Sequence, residues 1–189
     1  MADAVIKAQF RLPPEQALAL AVEDTPVYVA GGAVGLASLF LDKDKLVTAM
    51  RSNGALAWGD HHPSMFGGTE RFFRPGYRAH LVPEWLPALE GVVPKLEAGA
   101  KVADVGCGHG ASTVIMAQPF PASRFFGFDY HAPFIATAQQ RAAEGGVTDR
   151  VTFAPPAFLC SVAVTGRAVA TSDPSRQLPE GCFRKRREK

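Results

Sequence analysis

The sequence predicts an α/β protein in which a helical N-terminal segment precedes three strands of a parallel sheet, in the order β-α-β-α-β. Short runs of apolar, β-branched and aromatic residues at 101–105, 124–129 and 150–153 are typical of strands. The stretches between them have helical spacing, at 111–118 and 132–146. Strands that alternate with helices form parallel sheets through right-handed crossovers.

Composition limits the classes of protein. The chain has 189 residues, 47% of them hydrophobic, and a formal net charge of +2. The C-terminal RKRREK holds five basic residues and one acidic residue, so the remainder is slightly acidic. This distribution predicts no nucleic-acid partner. The longest apolar run, at 27–41, is too short for a membrane span and contains three glycines.

Cysteine usage and the N-terminus predict a cytoplasmic protein. The three cysteines are far apart in the sequence, which predicts neither a disulfide framework nor a zinc site. No basic segment followed by an apolar run marks a secretory signal. These cysteines are Cys107, Cys160 and Cys182.

The residue pattern changes along the chain and predicts three regions. They are a helical segment 1–95, a sheet region 96–154 and an atypical, disordered tail 155–189. The tail contains one predicted strand, 160–165. Within the first region, the pattern predicts helices at 13–23, 34–41 and 42–50.

Three finer predictions concern the first region. Asp42 or Asp44 is expected to cap the helix 42–50. Residues 53–77, rich in glycine and proline, are expected to form a loop. Helical spacing then resumes, and Trp85, Leu86 and Leu89 are expected to share one face.

The segment VADVGCGHGAS, residues 102–112, places Gly106, Gly108 and Gly110 after the first strand. Glycine adopts positive φ and lets a ligand approach the backbone. A glycine turn at the carboxyl end of parallel strands suits a nucleotide-like ligand. The alternative is a tight strand-to-helix connection that binds nothing.

Asp104 separates two ligand classes. The glycine spacing also fits the dinucleotide pattern G-x-G-x-x-G/A. A carboxylate beside the turn repels a pyrophosphate, whereas it attracts the ammonium and sulfonium of S-adenosylmethionine. Asp129, which ends the second strand, is placed to accept hydrogen bonds from a ribose. Its alternative role is the N-cap of the following helix.

These motifs resemble those of a known family. VADVGCGHG and FFGFDYH are similar to the first two motifs of class I S-adenosylmethionine-dependent methyltransferases, whose fold is Rossmann-like. Residues 66–112 resemble a bacterial group of these enzymes that carries an N-terminal winged-helix domain, which often mediates homodimer formation.

The resemblance implies S-adenosylmethionine as cofactor and a small-molecule methyl acceptor. It implies that the first motif holds the methionine part of the cofactor and that Asp129 holds the ribose. Tyr130, His109 and His131 are weaker candidates for cofactor contacts. The first-motif residues are Asp104, Gly106, Gly108 and Gly110.

Two departures from the family predict a chain that is truncated at both ends. The winged helix is missing, and nothing after about residue 154 matches the family's later strands. We therefore expect the residues that follow to derive from a frameshift or a misassembled gene end. Because an incomplete sheet need not catalyse, the alternative function is a non-catalytic fragment that binds the nucleoside or pairs with another copy. A nicotinamide-dependent reductase is disfavoured by Asp104.

For catalysis, His61 and His62 are the candidates for a base that removes a proton from the acceptor. Adjacent histidines without clustered partners do not predict a metal site. Nearby aromatic residues are expected either in the core or against an apolar acceptor. They are Phe66, Phe72, Phe73 and Tyr77.

Overall fold

The computed structural model describes residues 11–155. The predicted strand 160–165, the predicted disordered tail, Cys160 and Cys182 lie outside the described residues. The chain divides after Pro75 into two compact units.

The first unit is helical. Its elements are α1 Pro14–Leu20, α2 Ala30–Leu41, α3 Lys43–Arg51, a 3-10 turn Trp58–Asp60, and α4 Pro63–Gly76. The prediction of helices before the sheet is therefore confirmed.

Helices α2 and α4 approach each other through glycines. A Cβ on Gly68 would overlap the backbone of Gly35 and lie 2.9 Å from the carbonyl oxygen of Gly31. A Cβ on Gly31 would lie 2.7 Å from the backbone carbon of Arg71. Only residues without side chains at these positions allow backbones so close.

The loop prediction for residues 53–77 is wrong over its second half, because α4 occupies Pro63–Gly76. Two adjacent glycines, Gly67 and Gly68, disfavour a helix by their local propensity. In the structure Gly68 is buried and makes the close approach to α2 possible. Tertiary packing therefore overrides the weak local propensity.

The capping prediction for α3 is also wrong. Asp42 stands at the N-cap position, but its side chain makes no capping hydrogen bond. Its carboxylate is instead engaged by residues 61 and 62, which follow the 3-10 turn.

The second unit contains the sheet. A π-helix, Tyr77–Trp85, comes first, and the strands and helices then alternate as α5 Val92–Ala98, β1 Lys101–Val105, α6 Ala111–Ala117, β2 Arg124–Phe128, α7 Ala132–Glu144 and β3 Val151–Ala154. The strands are parallel, in the order β1-β2-β3. This confirms the predicted fold class.

Register and burial position the ends of the strands. Asp104 of β1 pairs with Gly127 of β2, which in turn pairs with Phe153 of β3. Phe125 is fully buried and Phe128 nearly so. The carboxyl ends of β1 and β2 therefore lie side by side, and the loops that follow them share one edge of the sheet.

The expected apolar face of Trp85, Leu86 and Leu89 does not form. Leu86 is buried, whereas Trp85 and Leu89 are about half exposed. The N–H of Leu86 donates to the carbonyl of Leu81, a five-residue π-type step. The wider π turn changes the angular spacing on which an α-helical face depends.

Candidate functional site

The loop between β1 and α6 is built from three glycines in left-handed conformation. The φ angles of Gly106, Gly108 and Gly110 are 78°, 54° and 77°. Any other residue is strained at such angles, so the turn requires glycine at all three positions.

The amides of this loop are used within the protein. Gly106 and Cys107 both donate to the carbonyl oxygen of Phe128, at 2.7 and 3.1 Å. Gly110 donates to Cys107 at 2.9 Å, and Gly108 donates to a carboxylate oxygen of Asp129 at 3.0 Å. The loop is therefore tied to the end of β2, and these four N–H groups already have acceptors.

Two of the glycines serve different purposes. A Cβ on Gly110 would lie 2.6 Å from the Phe153 ring and 2.8 Å from Ala138, so glycine is needed there for close packing. A Cβ on Gly108 would meet no atom within 4 Å. Open space beside a left-handed backbone is the geometry that a ligand lying against the loop requires.

Asp104 lies at the carboxyl end of β1 and is 2% exposed. Its Oδ2 accepts hydrogen bonds from the hydroxyls of Ser112 and Thr113, both at 2.7 Å. The carboxylate thus joins β1 to the first turn of α6. The sequence analysis did not predict a role for Ser112 and Thr113. Their hydroxyls in the first turn of the helix that follows the glycine loop were the signal that could have indicated one.

Tyr77 is the second group that sequence reasoning missed as a polar neighbour of the loop. Burial raises the pKa of its phenol, and the negative charge of Asp104 raises it further. The sequence had suggested only a core residue or an aromatic lining. Because Tyr77 and Asp104 are 27 positions apart, no local pattern relates them.

Asp129 follows β2 directly and is 1% exposed. Its Oδ2 accepts from the N–H of Gly108, and its Oδ1 accepts from the N–H of His131, both at 3.0 Å. His131 occupies the N-cap position of α7, and its side chain makes no capping bond. Asp129 therefore links the glycine loop to the residue at which α7 begins.

Aromatic rings border this edge of the sheet. The ring of Phe134 lies 4.8 Å from that of His109 and 4.3 Å from that of His131. Tyr130 is 47% exposed, and its ring is 6.4 Å from His131. Arg141 of α7 donates to the carbonyl of His109 at 3.3 Å, which supports the glycine loop from the helix.

His61 and His62 belong to the first unit, where Asp42 organises both. Asp42 Oδ2 is 2.9 Å from His61 Nδ1 and accepts from the N–H of His62 at 2.8 Å. Lys45 Nζ is 3.1 Å from the other carboxylate oxygen. The N–H of His62 above all, with His61 and Lys45, lowers the pKa of Asp42 to about 2, against the opposing effect of burial.

His61 and His62 differ in whether Nδ1 donates or accepts a hydrogen bond. A carboxylate with so low a pKa is ionised and only accepts, so Nδ1 of His61 carries the proton and Nε2 is the basic nitrogen. Nδ1 of His62 instead accepts from the N–H of Ser64 at 3.3 Å. His61 is therefore the better oriented of the two candidate bases.

Residues 11–155 contain neither a clustered metal-ligand set nor a membrane-spanning helix. No group of three or more His, Cys, Asp or Glu side chains in this range is arranged to hold a metal ion. Across the same residues, every helix is too short or too polar to span a membrane.

Comparison with known proteins finds a match to part of the chain. Residues 96–156 match a family model described as a methyltransferase domain. The match begins within α5 and runs through β3, so it contains the glycine loop and both buried carboxylates. A comparison with curated proteins finds no significant match.

Solved structures give partial matches. An S-adenosylmethionine-dependent methyltransferase from Geobacter sulfurreducens, in complex with S-adenosyl-L-homocysteine, is 37% identical over 42% of this chain and 31% of that chain, with a TM-score of 0.33. A similar complex from Thiobacillus denitrificans is 33% identical with the same coverage and TM-score. YjhP from E. coli is 30% identical over 40% of this chain and 31% of that chain, with a TM-score of 0.32. The match spans about a third of each of these proteins.

Proposed function

We propose that this chain is an S-adenosylmethionine-dependent methyltransferase, or a part of one, that acts on a small-molecule acceptor. One observation carries the proposal. Two buried carboxylates, Asp104 and Asp129, stand at the ends of neighbouring parallel strands and flank an open glycine loop. The family match over residues 96–156 covers this arrangement and supports the same assignment.

The charge and the amides of the loop favour this cofactor over a dinucleotide. A pyrophosphate at a glycine turn is bound by backbone N–H groups. Here the N–H groups of Gly106, Cys107, Gly108 and Gly110 already donate within the protein. The buried negative charge of Asp104 disfavours a pyrophosphate and favours a sulfonium or an ammonium.

The residues present fit S-adenosylmethionine. The open space beside Gly108 accommodates a group against the backbone, which a larger residue would obstruct. We assign the methionine part to Asp104, Gly106, Gly108 and Gly110, and the ribose to Asp129. The ribose assignment is supported by the place of Asp129 directly after β2, where its carboxylate holds Gly108 of the glycine loop.

Tyr130 completes the proposed set. It directly follows Asp129, and about half of its side chain is exposed, so it is accessible to a ligand at the same edge of the sheet. When bound, S-adenosylmethionine supplies an electrophilic methyl group on a sulfonium. The protein's contribution to such a displacement is above all alignment.

Of the two candidate bases, we favour His61 over His62 on the orientation of its ring within the first unit alone. The carboxylate of Asp42 holds Nδ1 of His61 at 2.9 Å and so fixes the orientation of the ring. A His61→Asn variant that turns over as fast as the wild type, while His62→Asn does not, would reverse this assignment.

Thermal unfolding of the full chain tests the cofactor. A ligand that binds only the folded state raises the midpoint as its concentration rises. We expect S-adenosylmethionine and S-adenosylhomocysteine to raise it and NAD to leave it unchanged. A midpoint that rises with NAD, or with none of the three, contradicts the proposed function.

A further inference from the structure

The exposed face of α2 is apolar, whereas the exposed face of an ordinary surface helix is polar. Residues 30–41 include no charged side chain, and their single polar side chain, Ser38, points inward. Ser38 is fully buried, and its hydroxyl donates to the carbonyl of Gly35 at 2.6 Å. A helix that is apolar all round is normally covered on both faces.

The exposed residues of α2 form one continuous stripe. We call it the α2 stripe, and its residues recur at the i, i+3, i+4, i+7, i+8 spacing of a single helix face. Three of its members have large side chains: Phe40 is 82% exposed, Leu36 66% and Leu41 62%. The α2 stripe consists of Ala33, Leu36, Ala37, Phe40 and Leu41.

The opposite face of the helix is the one already packed. Gly31, Gly35 and Ser38 are its buried residues, and Gly31 and Gly35 meet α4. Because α2 turns by 100° per residue, this buried set lies on the side opposite the α2 stripe. The stripe is therefore not the margin of the contact with α4 but a separate apolar surface.

We propose that the α2 stripe is a homodimer interface in which the helices of two copies pack antiparallel. The proposal is independent of the proposed function. If residue i faces residue 73 − i of the other copy, Phe40 faces Ala33 and Leu36 faces Ala37. Each large side chain then meets a small one, as interdigitated packing requires. Parallel packing in register would place alanine on alanine and phenylalanine on phenylalanine.

The size of the surface agrees with a second copy as the occupant. The α2 stripe exposes on the order of 500 Å² of apolar area, since a large side chain contributes up to about 200 Å². A standard interface buries about 800 Å² per partner, of which roughly 60% is apolar. A two-fold axis near residues 36 and 37 makes the contact isologous and therefore closed.

The first experiment measures the mass of the full chain in solution by light scattering. We expect the wild type to have twice the 20.2 kDa mass of one chain. The Phe40→Glu variant is expected to have the mass of one chain. Leu89→Glu is the control: Leu89 is a large apolar side chain that is 45% exposed, but it lies in the second unit, and the dimer is expected to persist. A monomeric wild type at micromolar concentration, or a dimer that survives Phe40→Glu, overturns the proposal.

A pair of cysteine variants tests the orientation without adding charge. In a background with Cys160 and Cys182 replaced by serine, Ala37→Cys is expected to form an intermolecular disulfide on oxidation. Ala33→Cys is not, because residue 33 of one copy lies roughly 10 Å along the axis from residue 33 of the other, beyond the reach of a disulfide. Cross-linking of both variants, or of neither, overturns the antiparallel arrangement.

Removal of the chain's own ends distinguishes a competing occupant. If residues 1–10 or 156–189 cover the α2 stripe within one chain, deleting either segment would convert a monomer into a dimer. We expect instead that the intact chain is already dimeric and that each deletion leaves the dimer in place. Dimerisation that appears only after a deletion overturns the proposal.

Discussion

Asp129 Oδ2 accepts a hydrogen bond from the N–H of Gly108 at 3.0 Å, so the residue that ends β2 holds the middle of the loop that follows β1. The other oxygen of Asp129 holds the N–H of His131. One buried carboxylate thus fixes both loops at the carboxyl edge of the sheet. The shape of the candidate site therefore depends on Asp129 even before any ligand binds.

Asp129→Asn should lower the free energy of unfolding by about 1–3 kcal/mol, because an amide nitrogen then faces one of the two part-buried N–H donors of Gly108 and His131. Urea unfolding followed by circular dichroism measures the change. Asp149→Asn is the control: its side chain is 73% exposed, and its ion pair with Arg150 lies at the surface, where such pairs contribute little. Equal effects of the two substitutions would contradict the role given to Asp129.

Gly108→Ala and Gly110→Ala should separate ligand binding from packing. Both place alanine at positive φ, which costs roughly 1–2 kcal/mol. Gly110→Ala also overlaps Phe153 and Ala138, which adds about 1–3 kcal/mol. We expect Gly108→Ala to remain the more stable variant in urea unfolding and to bind S-adenosylhomocysteine roughly tenfold more weakly than wild type, a loss of about 1.4 kcal/mol. Unchanged affinity would show that no ligand lies against Gly108.

Gly67→Ala and Gly68→Ala should change stability in opposite directions. A Cβ on Gly67 meets nothing within 4 Å, so alanine should stabilise α4 by about 0.5–1 kcal/mol. A Cβ on Gly68 overlaps Gly35, and we expect a loss of roughly 1–3 kcal/mol. The fluorescence of Trp58 during urea unfolding, with Trp85 replaced by phenylalanine, reports on this unit. If both variants are stabilised, α2 and α4 do not pack as described.

The first unit should lose stability in acid through Asp42. Its pKa is lowered to about 2, below the ordinary value of about 3.9. The contribution is therefore fully present above about pH 4 and is lost as the pH falls toward 2. Trp58 fluorescence during unfolding, measured from pH 5 to pH 2, should show a steeper loss for wild type than for Asp42→Asn. Asp44→Asn, whose side chain is 98% exposed, should follow the wild type.

The sheet region was predictable because its signals are local. Each strand is a short apolar run, and the glycines after Val105 and the stop at Gly145 mark the ends of elements within a few positions of them. The position of Asp104 relative to the glycines could likewise be read from the sequence. Its hydroxyl partners on α6 lie only eight and nine positions further along.

The first unit was less predictable because its determinants are distant in sequence. The role of Gly68 depends on Gly35 in another helix, 33 positions earlier. The carboxylate of Asp42 has the local appearance of a cap, but its partners lie 19 and 20 positions away. The π-helix at Tyr77–Trp85 likewise has no local periodic signal that distinguishes it from an α-helix.

The central claim is that the glycine loop and its two carboxylates bind S-adenosylmethionine. Isothermal titration calorimetry of the full chain with S-adenosylhomocysteine, and in parallel with NAD, tests it most directly. We predict one site per chain for S-adenosylhomocysteine and no heat with NAD. A chain shown by circular dichroism to be folded, yet giving no heat with S-adenosylhomocysteine at millimolar concentration or binding NAD instead, would contradict the claim.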